Sequence, residues 1–412
     1  MTLLNLNSEF IRPDYSGATI ANIPATAAAL LDADFNGLPP LKKELWKPFQ
    51  GRATRIVLLL IDSFGWHLLN QYRSELEWFL NRADVSGKIT SVFPSTTVAA
   101  LSSIWTGYAP GQHGLVGLRL FFPEYAVLGQ LIKFTPEFIS YPDALVKAGT
   151  DPADFLEVPG FGEQLSKAGV PTHAFKGYNI VDSALSKMHD RGVQNEYGFL
   201  TSADLFTQLG HMLESTAGSP LYSYAYWPAV DSLSHIYGPS HAAVGAELLA
   251  VFHQFKTLLL DSLSPGARRD TIVFVTGDHG QIATTPDQYV KVDEEKDLKA
   301  LLLMRPAGEP RTPYLFAKQG RKQELLELLQ HRFGEALQAW DVNEVIESGL
   351  LGPGPVSDIV AQRIGDVAAT MRDRHVLLTS KETAKIEKFI GRHGGMTADE
   401  MEVPWLGFHL EG

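Results

Sequence analysis

Short, nearly continuous apolar runs recur along the chain and constrain its fold more than any other feature. Five of them read RIVLLLID (55–62), KITSVFP (88–94), PTHAFKG (171–177), SPLYSYAYWPAVD (219–231) and TIVFVTGDHG (271–280). They are rich in Val, Ile and aromatic residues, which is typical of parallel strands buried on both faces. Segments with helical composition alternate with them, such as WHLLNQYRSELEWFLNRA (66–83) and GAELLAVFHQFKTLLLDSLS (245–264). The alternation predicts a doubly wound α/β fold, a mostly parallel sheet with helices on both faces.

The composition changes between residue 281 and about residue 390. This stretch contains a charged patch (VDEEKDLK), a Pro-rich turn (RPAGEPRTP), a short helical segment (RKQELLELLQHRF) and a Gly/Pro loop (GLLGPGPVSD). Core-like residues return after it. We therefore expect residues 1–280 and 391–412 to form the α/β core and residues 281–390 to form an inserted cap subdomain.

Charge and composition exclude several classes of protein. The 412 residues are 45% hydrophobic and 20% charged, as in ordinary globular proteins. The net charge is −12, without a run of Lys or Arg, so no nucleic-acid-binding patch and no affinity for an anionic membrane are expected. There is no cysteine, which excludes thiolate metal sites and a Cys nucleophile. The first residues lack the features of a secretory signal, and no run approaches the roughly 18 apolar residues of a membrane span, so a cytoplasmic location is expected.

Polar residues that can bind metals follow the predicted strands. Asp62 ends the first run, Thr97 follows the second, Asp231 ends the fourth, and Asp278 and His279 follow the fifth. In an open α/β sheet, ligands bind in the crevice outside the carboxyl ends of the strands. We therefore expect these side chains to converge at one edge of the sheet.

Two further histidines extend this set. His235 lies four residues after Asp231, on the same face if the segment is helical, and His393 lies beside glycines in GRHGGMTADEMEVPWL (391–406). Carboxylate and imidazole together favour zinc or another first-row divalent ion, whereas magnesium prefers oxygen ligands alone. Three Asp and three His suffice for two ions. An Asp at a strand end is more often a turn former or a helix cap, so the convergence of the whole set carries the interpretation.

Three consecutive hydroxyls, Ser95, Thr96 and Thr97, lie between Phe93-Pro94 and the helical segment VAALSSIW (98–105). One interpretation is helix capping, for which Ser and Thr are favoured. The other is a nucleophile at a helix N-terminus, where backbone N–H groups attract phosphate. The local sequence is compatible with both.

Five motifs together resemble the alkaline phosphatase superfamily, and within it the type I phosphodiesterase and nucleotide pyrophosphatase branch. They are LLLIDSFG, FPSTTVAALSSIWTGYAPGQHG, DSLSHIYGP, TGDHGQ and HGGMT, in the family's order between about residues 55 and 400. The resemblance implies a metal-dependent hydrolase of phosphodiester or pyrophosphate bonds, with a small-molecule phosphate ester as substrate. It implies two divalent metal ions, with zinc favoured over manganese or magnesium.

The resemblance also assigns roles to residues. It implies one ion held by Asp62, Thr97, Asp278 and His279, and a second held by Asp231, His235 and His393. Thr97 becomes the nucleophile that forms a covalent phospho-threonine, while Ser95 and Thr96 become turn and capping residues. Tyr226 matches a position that stacks on a nucleotide base.

The chain departs from the branch at two positions, since Ala100 replaces the usual Asn and Val98 the usual aromatic residue.

One alternative function is that of a phosphomonoesterase or phosphomutase on the same scaffold, which would need a cationic clamp such as Lys176, Arg119 or Arg311. No Arg or Lys occurs within FPSTTVAALSSIWTG, which favours diesters. The other rival is an inactive metal- or nucleotide-binding module.

Overall fold

A seven-stranded sheet runs through the centre of the molecule in the computed structural model, which describes residues 4–379 and 389–411. Its strands, in spatial order, are Val85–Thr90, Glu402–His409, Thr271–Thr276, Arg55–Ile61, Leu221–Trp227, Thr172–Gly177 and Asn195–Phe199. Glu402–His409 is antiparallel to both of its neighbours, and the other strands all run in one direction. The predicted doubly wound α/β class is confirmed.

The helices connect these strands and cover the sheet. The α-helices are Ile23–Leu30, Trp66–Gln71, Glu77–Leu80, Thr97–Thr106, Pro110–His113, Ala144–Lys147, Pro152–Phe155, Phe161–Lys167, Ala184–His189, Ser202–Ser215, Ala229–Tyr237, Ala242–Gln254, Pro265–Arg268, Lys296–Leu301, Lys322–Phe333, Val342–Glu347, Asp358–Ile364 and Ala398–Met401. Short 3₁₀ turns occupy Ile20–Asn22, Lys43–Leu45, Lys47–Phe49 and Pro286–Gln288. The predicted helix over 66–83 is therefore two short helices.

The central strand Arg55–Ile61 is buried on both faces, as its continuous apolar sequence predicts. Because side chains alternate along a strand, Ile56, Leu58 and Leu60 pack in one hydrophobic cluster with the helix Thr97–Thr106. Val57, Leu59 and Ile61 pack in a second cluster on the opposite face. The strand thus joins the two halves of the core.

The helix Ala242–Gln254 continues as a π-helix over Phe255–Leu260. By length and composition alone, this run is long and apolar enough to cross a membrane. Its side chains Leu248, Phe252 and Phe255 are buried in the second core cluster, against the sheet. Packing in the core therefore accounts for its apolar face.

A second seven-stranded sheet, entirely antiparallel, forms the cap subdomain. Its strands, in spatial order, are Leu337–Asp341, Val367–Met371, Pro313–Leu315, Ala307–Gly308, Arg119–Phe122, Val127–Gln130 and Thr135–Pro136. Three of them precede residue 280, so the cap is built from two stretches of the chain. The predicted insert, 281–390, did not include the stretch 119–136, whose strands are short and are completed only by distant partners. Residues 380–388 of that insert lie outside the described residues.

Two small strand pairs complete the described secondary structure. Ile282–Ala283 pairs with Gly391–Arg392 in antiparallel orientation, and Tyr289–Lys291 pairs with Val376–Leu378 in parallel orientation. The first pair brings the segment that contains His393 beside the end of the strand Thr271–Thr276. The strand predicted over residues 88–94 is instead Val85–Thr90, and residues 91–96 form a loop.

A buried ion pair ties the cap to the core. Arg311, in the cap, donates to Glu400 through Nε at 2.9 Å and Nη2 at 2.8 Å, and neither side chain is exposed. Burial alone would raise the pKa of Glu400, but the charge of Arg311 and further hydrogen bonds hold it below its ordinary value. Those bonds come from Gly395 N and Thr397 Oγ1, so Glu400 also fixes the loop after His393.

Replacing Glu400 with Ala leaves the Arg311 guanidinium buried without its carboxylate. We expect Glu400→Ala to lower the free energy of unfolding by about 3–5 kcal/mol, the usual cost of breaking a buried pair. Urea unfolding followed by circular dichroism measures it. Glu324→Ala is the matched control, because the Arg321–Glu324 pair is exposed and should contribute little. Equal effects of the two substitutions would contradict the structural role of Glu400.

Candidate active site

The candidate site lies at the carboxyl ends of the parallel strands. Asp62 directly follows the strand Arg55–Ile61, and Asp278 lies two residues after Thr271–Thr276. Asp231 lies in the first turn of the helix that follows Leu221–Trp227. These three strands are neighbours in the sheet, so their ends deliver the three carboxylates to one place, as expected for this fold.

Asp62, Asp278 and His279 form a first group, whose potential ligand atoms lie within 4.8 Å of one another. The Nε2 atom of His279 is 3.5 Å from Asp62 Oδ1 and 3.3 Å from Asp278 Oδ2. All three residues are buried, and these two carboxylate oxygens have no hydrogen-bond partner among the described residues. Burial raises the pKa of Asp62 well above its ordinary value, and the negative charges of Asp278 and Asp231 raise it further. A divalent cation would satisfy both oxygens, so the first group fits a metal ion.

Asp231, His235 and His393 form a second group of the same size. Asp231 and His235 share one face of the helix Ala229–Tyr237, with Asp231 Oδ1 3.4 Å from His235 Nε2 and 3.8 Å from His393 Nε2. Burial lowers the pKa of His393 well below its ordinary value, and the neighbouring imidazoles of His279 and His235 lower it further. His393 is therefore neutral, which is the form that binds a metal.

The three histidines are oriented alike by backbone carbonyl groups. Nδ1 of His235 lies 2.9 Å from Gly391 O, that of His279 3.1 Å from Gly280 O, and that of His393 3.1 Å from Ser95 O. A carbonyl oxygen only accepts hydrogen bonds, so each Nδ1 carries the proton. Each Nε2 then presents a lone pair to its group, as in histidines that bind metals.

The three consecutive hydroxyls have three different partners. Thr97, the first residue of the helix Thr97–Thr106, places Oγ1 3.1 Å from His279 Nε2. Ser95 Oγ donates to Gly395 O at 2.7 Å, and Thr96 Oγ1 donates to Glu309 Oε1 at 2.6 Å. Thr96 is the N-cap residue of this helix, as expected, but its hydroxyl binds the cap subdomain and makes no capping hydrogen bond, and the hydroxyl of Ser95 binds the loop after His393. Only Thr97 faces the first group.

Tyr226 lies at the same strand end, where its hydroxyl donates to Asp62 Oδ2. It is buried and lines a cavity next to Thr97, and its stacking on a base stays a prediction. Val98 and Ala100, the two departures from the branch, are fully buried in hydrophobic clusters. Their side chains therefore pack in the core.

Two polar residues near the site were not predicted from the sequence. Gln281 donates through Nε2 to Oδ1 of Asp231 and fixes that carboxylate. Its position directly after TGDHG is the sequence feature that could have identified it. Glu309 accepts hydrogen bonds from Thr96 Oγ1 and, at 2.7 Å, from Leu118 N. Its position in a Pro-rich turn gave no signal, since both partners are far away in the sequence.

Two cavities meet at Thr97. The larger, about 450 Å³, reaches the second group and is lined by cap residues, including Arg119 and Lys133. The smaller, about 210 Å³, lies on the other side of Thr97 and is lined in part by Lys176 and Tyr226.

The three cations proposed as a clamp all have carboxylate partners. Lys176 Nζ lies 2.6 Å from Asp190, Arg119 lies 3.5 Å from Glu137, and Arg311 binds Glu400 away from both cavities. The charges of Lys176 and Arg311 are thus balanced within the protein, whereas Arg119 shares Glu137 with Arg305.

Metal content tests the two groups independently of activity. We expect about two divalent ions per chain in the loaded protein. His393→Ala should remove about one of them, because it deletes a ligand of the second group and leaves the first intact. Elemental analysis after dialysis measures the content. His253→Ala, on an exposed helix face, is the control and should keep both ions. Two retained ions in His393→Ala would contradict the predicted ligand role.

Comparison with known proteins gives a consistent result. The sequence profile described as Type I phosphodiesterase / nucleotide pyrophosphatase matches residues 56–396. Among solved structures, murine ectonucleotide pyrophosphatase/phosphodiesterase 5 is similar, with a TM-score of 0.65 and 18% identity over 86% of this chain and 88% of that chain. An inactive form of it has been solved with AMP.

A bacterial enzyme is similar to the same degree. Phosphonoacetate hydrolase from Sinorhizobium meliloti 1021, in complex with phosphonoformate, gives a TM-score of 0.64 and 17% identity over 86% of this chain and 90% of that chain. A comparison with curated protein sequences gives no match. At these identities the structural likenesses establish the fold.

Proposed function

The chain belongs to the type I phosphodiesterase / nucleotide pyrophosphatase family, a family of metal-dependent phosphoester hydrolases, and from this premise we propose that it cleaves phosphodiester or pyrophosphate bonds through a covalent phospho-threonine at Thr97. One observation carries the proposal. Of the three consecutive hydroxyls, that of Thr97 alone faces the buried carboxylates and lies where two cavities meet.

Two divalent ions complete the proposed site. Asp62, Asp278 and His279, with Thr97, would hold one of them, and Asp231, His235 and His393 would hold the other. When bound, such ions lower the pKa of the nucleophile and stabilise the charge on the leaving oxygen. The mixture of carboxylate and imidazole ligands favours zinc.

The chain's own groups then carry the reaction. Thr97 Oγ1 attacks phosphorus, forming a bond between them while the bond to the leaving oxygen breaks on the opposite side. The first N–H groups of the helix Thr97–Thr106 have no partners within the helix, and they donate to the non-bridging oxygens. Water then hydrolyses the phospho-threonine and restores the hydroxyl, so that one difficult step becomes two easier ones.

The charges around Thr97 favour diesters over monoesters. A monoester dianion carries an additional negative charge and gains from an added cation. Lys176, Arg119 and Arg311 each bind a carboxylate of the protein, which reduces what they can offer to such a dianion. A diester has one negative charge, for which the ions and the helix N-terminus suffice.

A second candidate is a phosphomonoesterase, a phosphomutase or a phosphonate hydrolase on the same scaffold. Lys133 supports it, because it lines the larger cavity and forms no ion pair within the part of the chain that the structure describes. The similar phosphonoacetate hydrolase shows that the fold accommodates a substrate with a second anionic group.

Substitution of Thr97 tests the nucleophile. We expect Thr97→Ala to lower kcat on the order of 10⁴-fold or more, since the attacking atom is lost while six metal-binding side chains remain. Thr96→Ala is the matched control and should retain most activity, because its hydroxyl binds Glu309. Steady-state kinetics with bis-p-nitrophenyl phosphate and elemental analysis make the comparison. An active Thr97→Ala beside an inactive Thr96→Ala would move the nucleophile by one position.

A pair of chromogenic esters tests the substrate class. We expect kcat/KM to be higher for bis-p-nitrophenyl phosphate than for p-nitrophenyl phosphate, because Lys176, Arg119 and Arg311 already bind carboxylates of the protein. Lys133→Gln should leave this preference in place, and Lys167→Gln, on an exposed helix end, controls for the loss of a positive charge. A preference for the monoester that Lys133→Gln abolishes would favour the second candidate.

A further inference from the structure

The carboxylate of the second group is held differently from those of the first. The side chains of the second group are 10–23% exposed, whereas those of the first are 0–3% exposed. In the first group, Oδ1 of Asp278 accepts from two backbone N–H groups, those of Ser63 and His279, at 3.0 Å each. Within the described residues, the carboxylate of Asp231 accepts one hydrogen bond, and its donor is Nε2 of Gln281. The direction of the Asp231 carboxylate therefore depends on one side chain.

Gln281 connects the separate elements that form the second group. It immediately precedes the strand Ile282–Ala283, whose partner strand Gly391–Arg392 leads directly to His393. Its amide crosses from this strand pair to the helix of Asp231, where Nε2 donates to Oδ1 and lies 3.4 Å from the backbone carbonyl oxygen of the same residue. The side chain thus ties the strand pair next to His393 to the helix that carries the other two potential ligands.

Glycine at position 391 leaves room for this amide. A Cβ atom at Gly391 would collide with Oε1 of Gln281 and with the carbonyl oxygen of Ser234. The carbonyl oxygen of Gly391 also accepts from Nδ1 of His235 at 2.9 Å, which orients that imidazole. One tightly packed arrangement therefore fixes both the carboxylate of Asp231 and the ring of His235.

The position of the Gln281 amide has an energetic cost. The residue is 7% exposed, and its Oε1 atom is buried without a hydrogen-bond partner among the described residues. The ionised carboxylate of Asp231 only accepts hydrogen bonds, so the NH₂ group must face it. Burying the amide oxygen without a donor is unfavourable, and an apolar side chain of similar size would avoid this cost. Stability alone therefore does not explain a glutamine at this position.

We propose that Gln281 is a positioning residue, which holds Asp231 in the direction that binds the second ion and so sets the affinity of that ion alone. The inference rests on the two ions of the proposed function. Carboxylates that bind metals are themselves fixed by hydrogen bonds, and loss of such a partner typically lowers metal affinity about 10- to 100-fold. Asp278 and Asp62 are held by backbone N–H groups and by Tyr226, so a change at Gln281 leaves them in place.

Zinc titrations of Gln281→Met test the proposal. Methionine is similar to glutamine in length but offers no donor to Asp231. Competition with a chromophoric chelator measures the two Kd values, and His393→Ala identifies which of them belongs to the second group. We expect Gln281→Met to raise the Kd of the second zinc ion about 10- to 100-fold and to leave that of the first almost unchanged.

Gln164→Met is the matched control. Gln164 is 8% exposed, and its amide binds the backbone of Asn36 at 2.7 and 3.2 Å, so a similarly buried amide is lost outside both ligand groups. This substitution should lower the stability of the metal-free protein, measured by urea unfolding, and leave both zinc affinities unchanged. A merely structural role of Gln281 would make the two variants alike.

Cobalt provides a second readout. The visible absorption of Co²⁺ depends on the geometry of its ligands, so a displaced Asp231 should change the spectrum of the second ion. We expect this change in Gln281→Met at saturating cobalt, whereas Gln164→Met should retain the spectrum of the unsubstituted protein.

The outcomes separate this proposal from the proposed function. Unchanged zinc affinities in Gln281→Met, an equal loss of affinity for both ions, or an unchanged cobalt spectrum would overturn it, even in a protein that hydrolyses phosphodiesters. A selective loss of affinity for the second ion would support it, even if the unsubstituted protein cleaves no phosphate ester, a result that would overturn the proposed function.

Discussion

Two carboxylates held together in a buried position are the constraint on which the rest of the site depends. Asp62 and Asp278 are excluded from water, and each has an oxygen without a partner among the described residues. Two such charges repel each other and lose their hydration, so the arrangement is stable only if positive charge compensates it. Parallel neighbouring strands fix their spacing, while Tyr226 and the backbone N–H of Ser63 satisfy the other two oxygens. The fold thus concentrates uncompensated negative charge beside Thr97, whose Oγ1 lies 3.1 Å from Nε2 of His279 in the same group.

The cap subdomain contributes to the same site through the loop that contains His393. Thr312 Oγ1 in the cap donates to Gly394 O at 2.6 Å, and Glu400, bound to Arg311, accepts from Gly395 N. From the core side, Ser95 donates to Gly395 O. The position of His393 therefore depends on packing between cap and core. This explains why two of the three hydroxyls serve the scaffold of the site and only the third faces the first group.

Short-range patterns predicted the central sheet. An interior strand of a parallel sheet is buried on both faces, so its sequence is apolar throughout, as in Arg55–Ile61. The convergence of Asp62, Asp231 and Asp278 was predictable for a related reason, since the carboxyl ends of such strands meet at one edge. The boundaries of the cap were not, because Arg119–Phe122 has a partner strand almost two hundred residues further along the chain. The ion pairs formed by Arg311 and Lys176 could not be predicted either, because a charged residue is usually exposed and its sequence does not indicate a buried partner.

In the proposed function, the chemistry and the specificity of this protein reside in different parts of the fold. The strand ends and the helices that follow them place Thr97 and all the potential metal ligands except His393, and these residues follow the family's motifs. The positions at which the branch usually differs from this chain, Val98 and Ala100, are buried in the core and cannot contact a substrate. Selectivity must then come from the walls of the two cavities that meet at Thr97. One wall belongs to the core and contains the Lys176–Asp190 pair, and the other belongs to the cap. A change in either wall can alter the substrate without disturbing the buried carboxylates.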